Sequence, residues 1–303
     1  MSRPVAESQA AIASGSQSFA AAAKLMPRGM REDTVMLYAW CRHADDVVDG
    51  QELGSAPVAA GDPAKRLARL KAETLDALHG SAAVSPPFAA LRAVARRHDF
   101  PDSWPLDLID GFAMDVAGRE YRTLGDTLDY SYHVAGVVGV MMARVMGVRD
   151  VSVLDRACDL GLAFQLTNIA RDVIDDFRIG RSYLPDAWLE EAGAKVEGDI
   201  PSPELYGVIL RLLDAAEPYY ASAFAGLPGL PLRCAWSIAS AARIYHAIGT
   251  KIRRGGAEAY RQRIGTSGSA KAGLAFRGLA DAMTSRVFPA TAGREGLWTR
   301  PLS

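Results

Sequence analysis

Cysteine is scarce in this chain, with 3 among 303 residues. Cys41, Cys158 and Cys234 are odd in number and scattered, which argues against a disulfide framework or zinc spacing and fits a reducing cytoplasm. Neither sign of charge is in excess: 34 Lys and Arg stand against 35 Asp and Glu, a net of −1. Whole-chain charge therefore gives no case for nucleic acid or for an anionic membrane. The most hydrophobic stretch, Val134 to Met146, is interrupted by Arg144 and carries Gly136 and Gly139. It is shorter than the roughly 20 residues a membrane span needs and fits a buried core helix. Met1 to Ala13 lacks the basic start and long apolar core of a secretory signal. There is no Rossmann-type glycine fingerprint and no convincing run of alternating strands.

What is present is helical. Leu, Ala, Met and Arg are abundant, and apolar residues recur at three- and four-residue spacing. The pattern predicts helices over 16–26, 31–49, 64–79, 86–98, 105–119, 126–147, 152–178, 203–225 and 231–264. Breakers separate them: the Gly-, Ala- and Pro-rich loop 50–63, then Pro86-Pro87, Pro101, Pro105, the 201–203 and 228–231 proline pairs. No linker forces a second domain, so the expectation is one all-α domain over 1–303, with an irregular tail at 286–303.

Two acidic blocks stand out, Asp45-Asp46-Val47-Val48-Asp49 and Asp172-Val173-Ile174-Asp175-Asp176. Residues four apart share a helix face, so Asp45 stacks with Asp49 and Asp172 with Asp176, and such like-charge pairs destabilise a helix unless something binds them. Each block continues a polar stripe: Tyr38, Arg42, Asp45 and Asp49 on one helix, Gln165, Asn168, Asp172 and Asp176 on the other. One such spacing alone is most often a solvated face. Two, each embedded among core-type residues such as Leu37, Trp40, Leu162 and Leu166, point to carboxylates that hold cations against a polyphosphate. Arg42 and Arg171 stand beside them, as direct contacts to phosphate oxygens require. Arg178 and Arg181 follow the second block, in place to close over the same anion. Mg²⁺ in that position neutralises a diphosphate as its carbon–oxygen bond ionises, and an allylic cation left behind needs an apolar, dry cavity.

At these residues the chain resembles the squalene/phytoene synthase family, most closely its bacterial phytoene synthases. The resemblance runs over about 14–265, through Gly15-Ser16-Gln17-Ser18-Phe19, the segment Leu37 to Asp49, Gly111 to Asp115, Tyr130 to Gly139, Gln165 to Asp176 and Gly180 to Pro185. It implies a single-domain helical bundle of the isoprenoid synthase type with a central apolar cavity. It implies Mg²⁺-dependent head-to-head condensation of two geranylgeranyl diphosphates to phytoene by way of prephytoene diphosphate, in carotenoid biosynthesis. Mn²⁺ is the expected substitute cation, and no NADPH is expected.

By the same resemblance Asp45, Asp49, Asp172 and Asp176 match metal-binding carboxylates, with Asn168 beside a metal and Gln165 in the pocket. Arg42, Arg171 and Arg263 match diphosphate contacts, Ser16 and Ser18 lie in a segment near the diphosphates, and Tyr38 and Tyr245 match pocket tyrosines, Tyr245 counted with the catalytic set. Gly136 and Gly139 match a helix break beside the substrate channel. The lipid substrates imply a cytoplasmic protein with peripheral contact at the inner face of the cell membrane, and association with downstream carotenoid enzymes. Two alternatives stay open: another class I isoprenoid enzyme (a squalene or dehydrosqualene synthase, or a terpene cyclase), and a helical scaffold that has lost catalysis.

Overall fold

Helix α1 (Arg28–Asp49) starts after Pro27 and stops at Gly50, whose φ of 67° is left-handed backbone that glycine adopts without strain. The computed structural model describes residues 23–50 and 62–301. Ser16 and Ser18 lie outside the described residues. There follow α2 (Pro63–His79), α3 (Pro86–His98), α4 (Ser103–Val116), α5 (Leu124–Ser131), α6 (Val137–Val145), α7 (Val151–Arg178), α8 (Asp186–Ala192), α9 (Pro203–Ala225), α10 (Leu232–Gly255) and α11 (Gly268–Val287). Among the described residues there is no strand, and the all-α expectation holds.

The bundle is organised around α7, a 28-residue helix that starts where the Asp150 side chain accepts the Ser152 amide. It packs against α6, α9 and α10, burying Leu162, Ala163, Leu166, Ile169 and Ala170 in a core that runs continuously from Met26 to Ala282. Between α5 and α6 the predicted helix 126–147 is interrupted by a π-helical turn, Tyr132–Gly136. Here the backbones of neighbouring elements nearly touch. A Cβ on Gly161 of α7 would sit 2.4 Å from the Ala135 carbonyl oxygen, and one on Gly139 would sit 2.3 Å from that of Ala157. Only glycine permits this approach, and it brings the π turn against α7 where the polar stripe begins.

Other elements differ from expectation, and the predicted helix 16–26 lies mostly outside the described residues. The predicted helix 231–264 ends at Gly255, because Gly256 takes a φ of 64° before a 3-10 turn, Ala257–Arg261. Helices α8 and α11 were not predicted. Helix α11 runs through Val287, past the expected start of an irregular tail at 286, and residues 288–301 are irregular yet clamped to the body. Arg294 grips the fully buried Asp159 with two hydrogen bonds of 2.7 and 2.9 Å, Arg300 pairs with Asp155 at 2.7 Å, and Trp298 packs on Tyr132.

Candidate active site

A cavity of about 520 Å³ opens between α1, α4, α5, α6, α7, α9 and α10. One end is polar and collects Tyr38, Arg42, Asp45, Asp115, Tyr130, Gln165, Asn168, Arg181 and Tyr183; the other is apolar, with Met142, Met146, Val153, Leu160 and Leu230. Along α7 the lining runs from Asn168 to Val153, about 22 Å at 1.5 Å per residue, the scale of an extended geranylgeranyl chain. Tyr245 stacks on Phe164 in the wall, ring centres 4.1 Å apart.

Members of both stripes line this polar end, Tyr38, Arg42 and Asp45 from α1 and Gln165 and Asn168 from α7, whereas Asp49, Asp172 and Asp176 are not in the wall. Arg181 links the ends of the two acidic blocks. Gly180, with φ of 77°, ends α7 in a Schellman turn: its amide reaches the Phe177 carbonyl, and the Arg181 amide reaches that of Asp176, both at 2.9 Å. The turn directs the Arg181 side chain across to Asp49 on α1, at 3.0 Å. Arg42 forks between Asp45 and Asp46, at 3.0 Å to each. Burial, and the neighbouring Asp49 and Asp46 carboxylates, push the Asp45 carboxyl up to about 6 against the pull of Arg42, although 41 % of its side chain still meets the water of the cavity. Burial and then Asp172 push Asp176 up to about 7.

Two buried atoms here have no hydrogen-bond partner: the Asn168 side-chain oxygen and the Arg42 Nε. A cation would satisfy the first and an anion the second. Among the described residues no cluster of three or more His, Cys, Asp or Glu is placed to hold a metal ion. The oxygen donors that face the cavity, the Asp45 carboxylate and the unpartnered Asn168 side-chain oxygen, suit a hard cation that completes its shell with water and phosphate, the habit of Mg²⁺.

Other expected residues lie elsewhere. Arg171 is turned onto its neighbour Asp172, with Nε 2.7 Å from Oδ1 and a second bond from Nη2, and neither lines the cavity wall. Arg178 is drawn to the surface by Asp175 and Asp199, so it does not close over the site. Arg263 is exposed in the segment after the 3-10 turn.

The structure adds a group that the stripes did not reveal. Asp115 of α4 accepts hydrogen bonds from the hydroxyls of Tyr130, at 3.1 Å, and Tyr183, at 3.0 Å. The two rings stack with centres 4.7 Å apart. Burial raises both phenols above their ordinary range, so at neutral pH they are protonated donors. The available signal was the matched segment Gly111 to Asp115; the partners of Asp115 are distant in sequence.

A family model described as squalene/phytoene synthase matches residues 12–269. The 15-cis-phytoene synthase of Paracoccus sp. (strain N81106 / MBIC 01143) is 71% identical over 301 residues, covering 99% of each chain. That of Pantoea ananas is 50% identical over 297 residues, covering 96% of each. Among solved structures, a dehydrosqualene synthase in complex with ligand superposes with a TM-score of 0.80 at 26% identity, covering 93% of this chain and 97% of that one. The squalene synthase HpnC from Alicyclobacillus acidocaldarius gives 0.74 at 25% identity, covering 85% and 94%.

Proposed function

We propose, since this chain belongs to the squalene/phytoene synthase family, that its cavity condenses two geranylgeranyl diphosphates head to head into phytoene. The protein is a prenyltransferase of isoprenoid and carotenoid biosynthesis. The observation that carries the assignment of the site is the polar end of the cavity, where Asp45 of α1, Asp115 of α4, Arg42 and Arg181 converge above an apolar lining.

Asp45, Asp49, Asn168, Asp172 and Asp176 are the residues proposed to hold Mg²⁺, with Mn²⁺ as a substitute; when bound, the cation draws charge from the departing diphosphate. Arg42, already in the wall with its Nε unpartnered, contacts diphosphate oxygens directly. Arg181 exchanges Asp49 for phosphate as the site fills. Gln165 and Tyr38 orient the polar head, and the apolar walls keep water from the allylic cation. The stacked Tyr130 and Tyr183, fixed by Asp115, present ring faces suited to a passing carbocation, as do Tyr245 and Phe164. Arg171 acts through Asp172, which it holds in place. Ser16, Ser18 and Arg263 remain proposals from the resemblance.

Incubation of the purified protein with geranylgeranyl diphosphate and Mg²⁺, without NADPH, is expected to yield phytoene, and EDTA to abolish it. A product from farnesyl diphosphate alone would assign the shorter-chain reaction instead.

The raised carboxyls give a pH signature. In the unfolded chain Asp45 and Asp176 titrate in the ordinary carboxylate range, whereas folded they titrate at about 6 and 7. Between those limits the folded protein binds more protons, so these two groups make the metal-free protein less stable as pH rises from about 4 to about 7. Cations compete with those protons. The rise in melting temperature on adding Mg²⁺ with inorganic pyrophosphate should therefore be larger at pH 8 than at pH 6. Equal rises at both would remove these carboxylates from the cation site.

A further inference from the structure

Helix α11 is inside out. Its buried positions are Gly278, Ala282 and Ser285, and a Cβ on Gly278 would come within 2.6 Å of the Ser240 amide of α10. Apart from the half-buried Leu274 and Leu279, its large apolar side chains point the other way. Phe276 is 74 % exposed, Met283 56 %, Val287 69 %, and Phe288, just beyond the helix, 77 %. At 100° per residue, Phe276, Met283 and Val287 fall within about 40° of one another. The exposed Ala272 and Ala280 fill the same face. A surface helix of a globular protein has the opposite polarity, apolar inward and charged outward, and a contiguous exposed apolar patch of this kind marks an interaction site.

The charges around the face say what covers it. Arg277 and Arg286 are exposed on its two flanks. The one carboxylate of the helix, Asp281, is taken up by Arg243 of α10 through two bonds of 2.8 Å, which leaves the rim positive. Apolar side chains bordered by cations are the pattern of a helix lying in the headgroup region of an anionic bilayer. The patch is also continuous with the cavity. Arg286 donates to the Leu230 carbonyl at 2.6 Å, Leu230 lines the cavity's apolar end, and Leu232 beside it is exposed.

We propose that the outer face of α11, with Phe288, docks the protein on an anionic lipid bilayer, beside the apolar end of the cavity. This rests on the assigned reaction only for its purpose: a hydrocarbon product leaves most easily into lipid. Docking seats the rings and Met283 among the acyl chains while Arg277 meets lipid phosphates and Arg286, bonded to the Ala282 and Leu230 carbonyls, adds positive charge to the rim.

The test is flotation of the full chain with vesicles of phosphatidylcholine and phosphatidylglycerol, compared with phosphatidylcholine alone. Wild type should float with the anionic vesicles. Phe276→Ser with Phe288→Ser should lower the bound-to-free ratio at least tenfold, and Arg277→Glu should remove most of the dependence on phosphatidylglycerol. All these side chains are exposed, so melting temperature and turnover in detergent micelles should be unchanged. Equal flotation of wild type and the double serine variant overturns the proposal, as does failure of wild type to float. A wild-type dimer that the serine substitutions convert to monomer also overturns it, by showing that a second copy covers the face. Absence of phytoene in detergent would reject the reaction, and flotation would still report on the surface separately.

Discussion

Replacing Asp45 or Asp172 by Asn is expected to lower phytoene formation by a factor of about 10³ or more with little loss of stability. Each substitution keeps the volume and removes a charge from a site where charge develops as the diphosphate departs. Loss of a single preorganised group at such a centre costs about 10²–10³ in rate, and a carboxylate that holds the cation also governs its occupancy. Stability should not fall in step, because the carboxylates are crowded. Asp45 is raised to about 6 by burial and by Asp49 and Asp46, so a neutral side chain relieves repulsion there. Asp172 differs in one respect: Arg42 keeps Asp46 when Asp45 is neutralised, whereas Arg171 loses the carboxylate it is bonded to, so Asp172→Asn should be the less stable of the two. The measurement is turnover of geranylgeranyl diphosphate at saturating Mg²⁺, beside thermal melting of the same preparations. Full activity in either variant would remove that carboxylate from the cation site; loss of activity with collapse of the melting transition would show only that it holds the fold.

The stripes were legible because a helix converts sequence spacing into position: Asp45 and Asp49, or Asn168 and Asp172, must share a face. That the faces meet was not legible from spacing, since it depends on the close approach at Gly161 and Gly139 and on Gly180 turning Arg181 toward Asp49. Asp115 was hidden for a related reason. Its partners Tyr130 and Tyr183 lie 15 and 68 residues away, and no periodicity reports a contact of that kind. Helix α11 escaped detection because its core-facing side is Gly278, Ala282 and Ser285, so the apolar period that marks a buried helix face is missing. The same inversion that concealed the helix is what gives its outer face a use.

Removing the Asp159 carboxylate, by Asp159→Ala, should destabilise the fold by about 3–5 kcal/mol, the range for breaking a buried ion pair by deleting one partner. Asp159 is fully buried on α7 and accepts three hydrogen bonds, two from Arg294 of the tail and one of 2.5 Å from Ser222 of α9. The deletion leaves the Arg294 guanidinium largely buried without its main counter-charge and the Ser222 hydroxyl without an acceptor. The damage extends to the far end of the cavity. Arg156, in the cavity wall, is held by Ser222 and by the Ala292 carbonyl of the same tail, so releasing the tail frees a guanidinium beside the apolar lining. Urea unfolding of Asp159→Ala, Arg294→Ala and the double variant separates the pair from its surroundings. The double variant should be less damaged than the sum of the singles, because each single strands a charge that the double does not. Additive losses would mean that the tail is held by its other contacts, Trp298 on Tyr132 and Arg300 on Asp155, and that the Asp159–Arg294 pair is incidental to it.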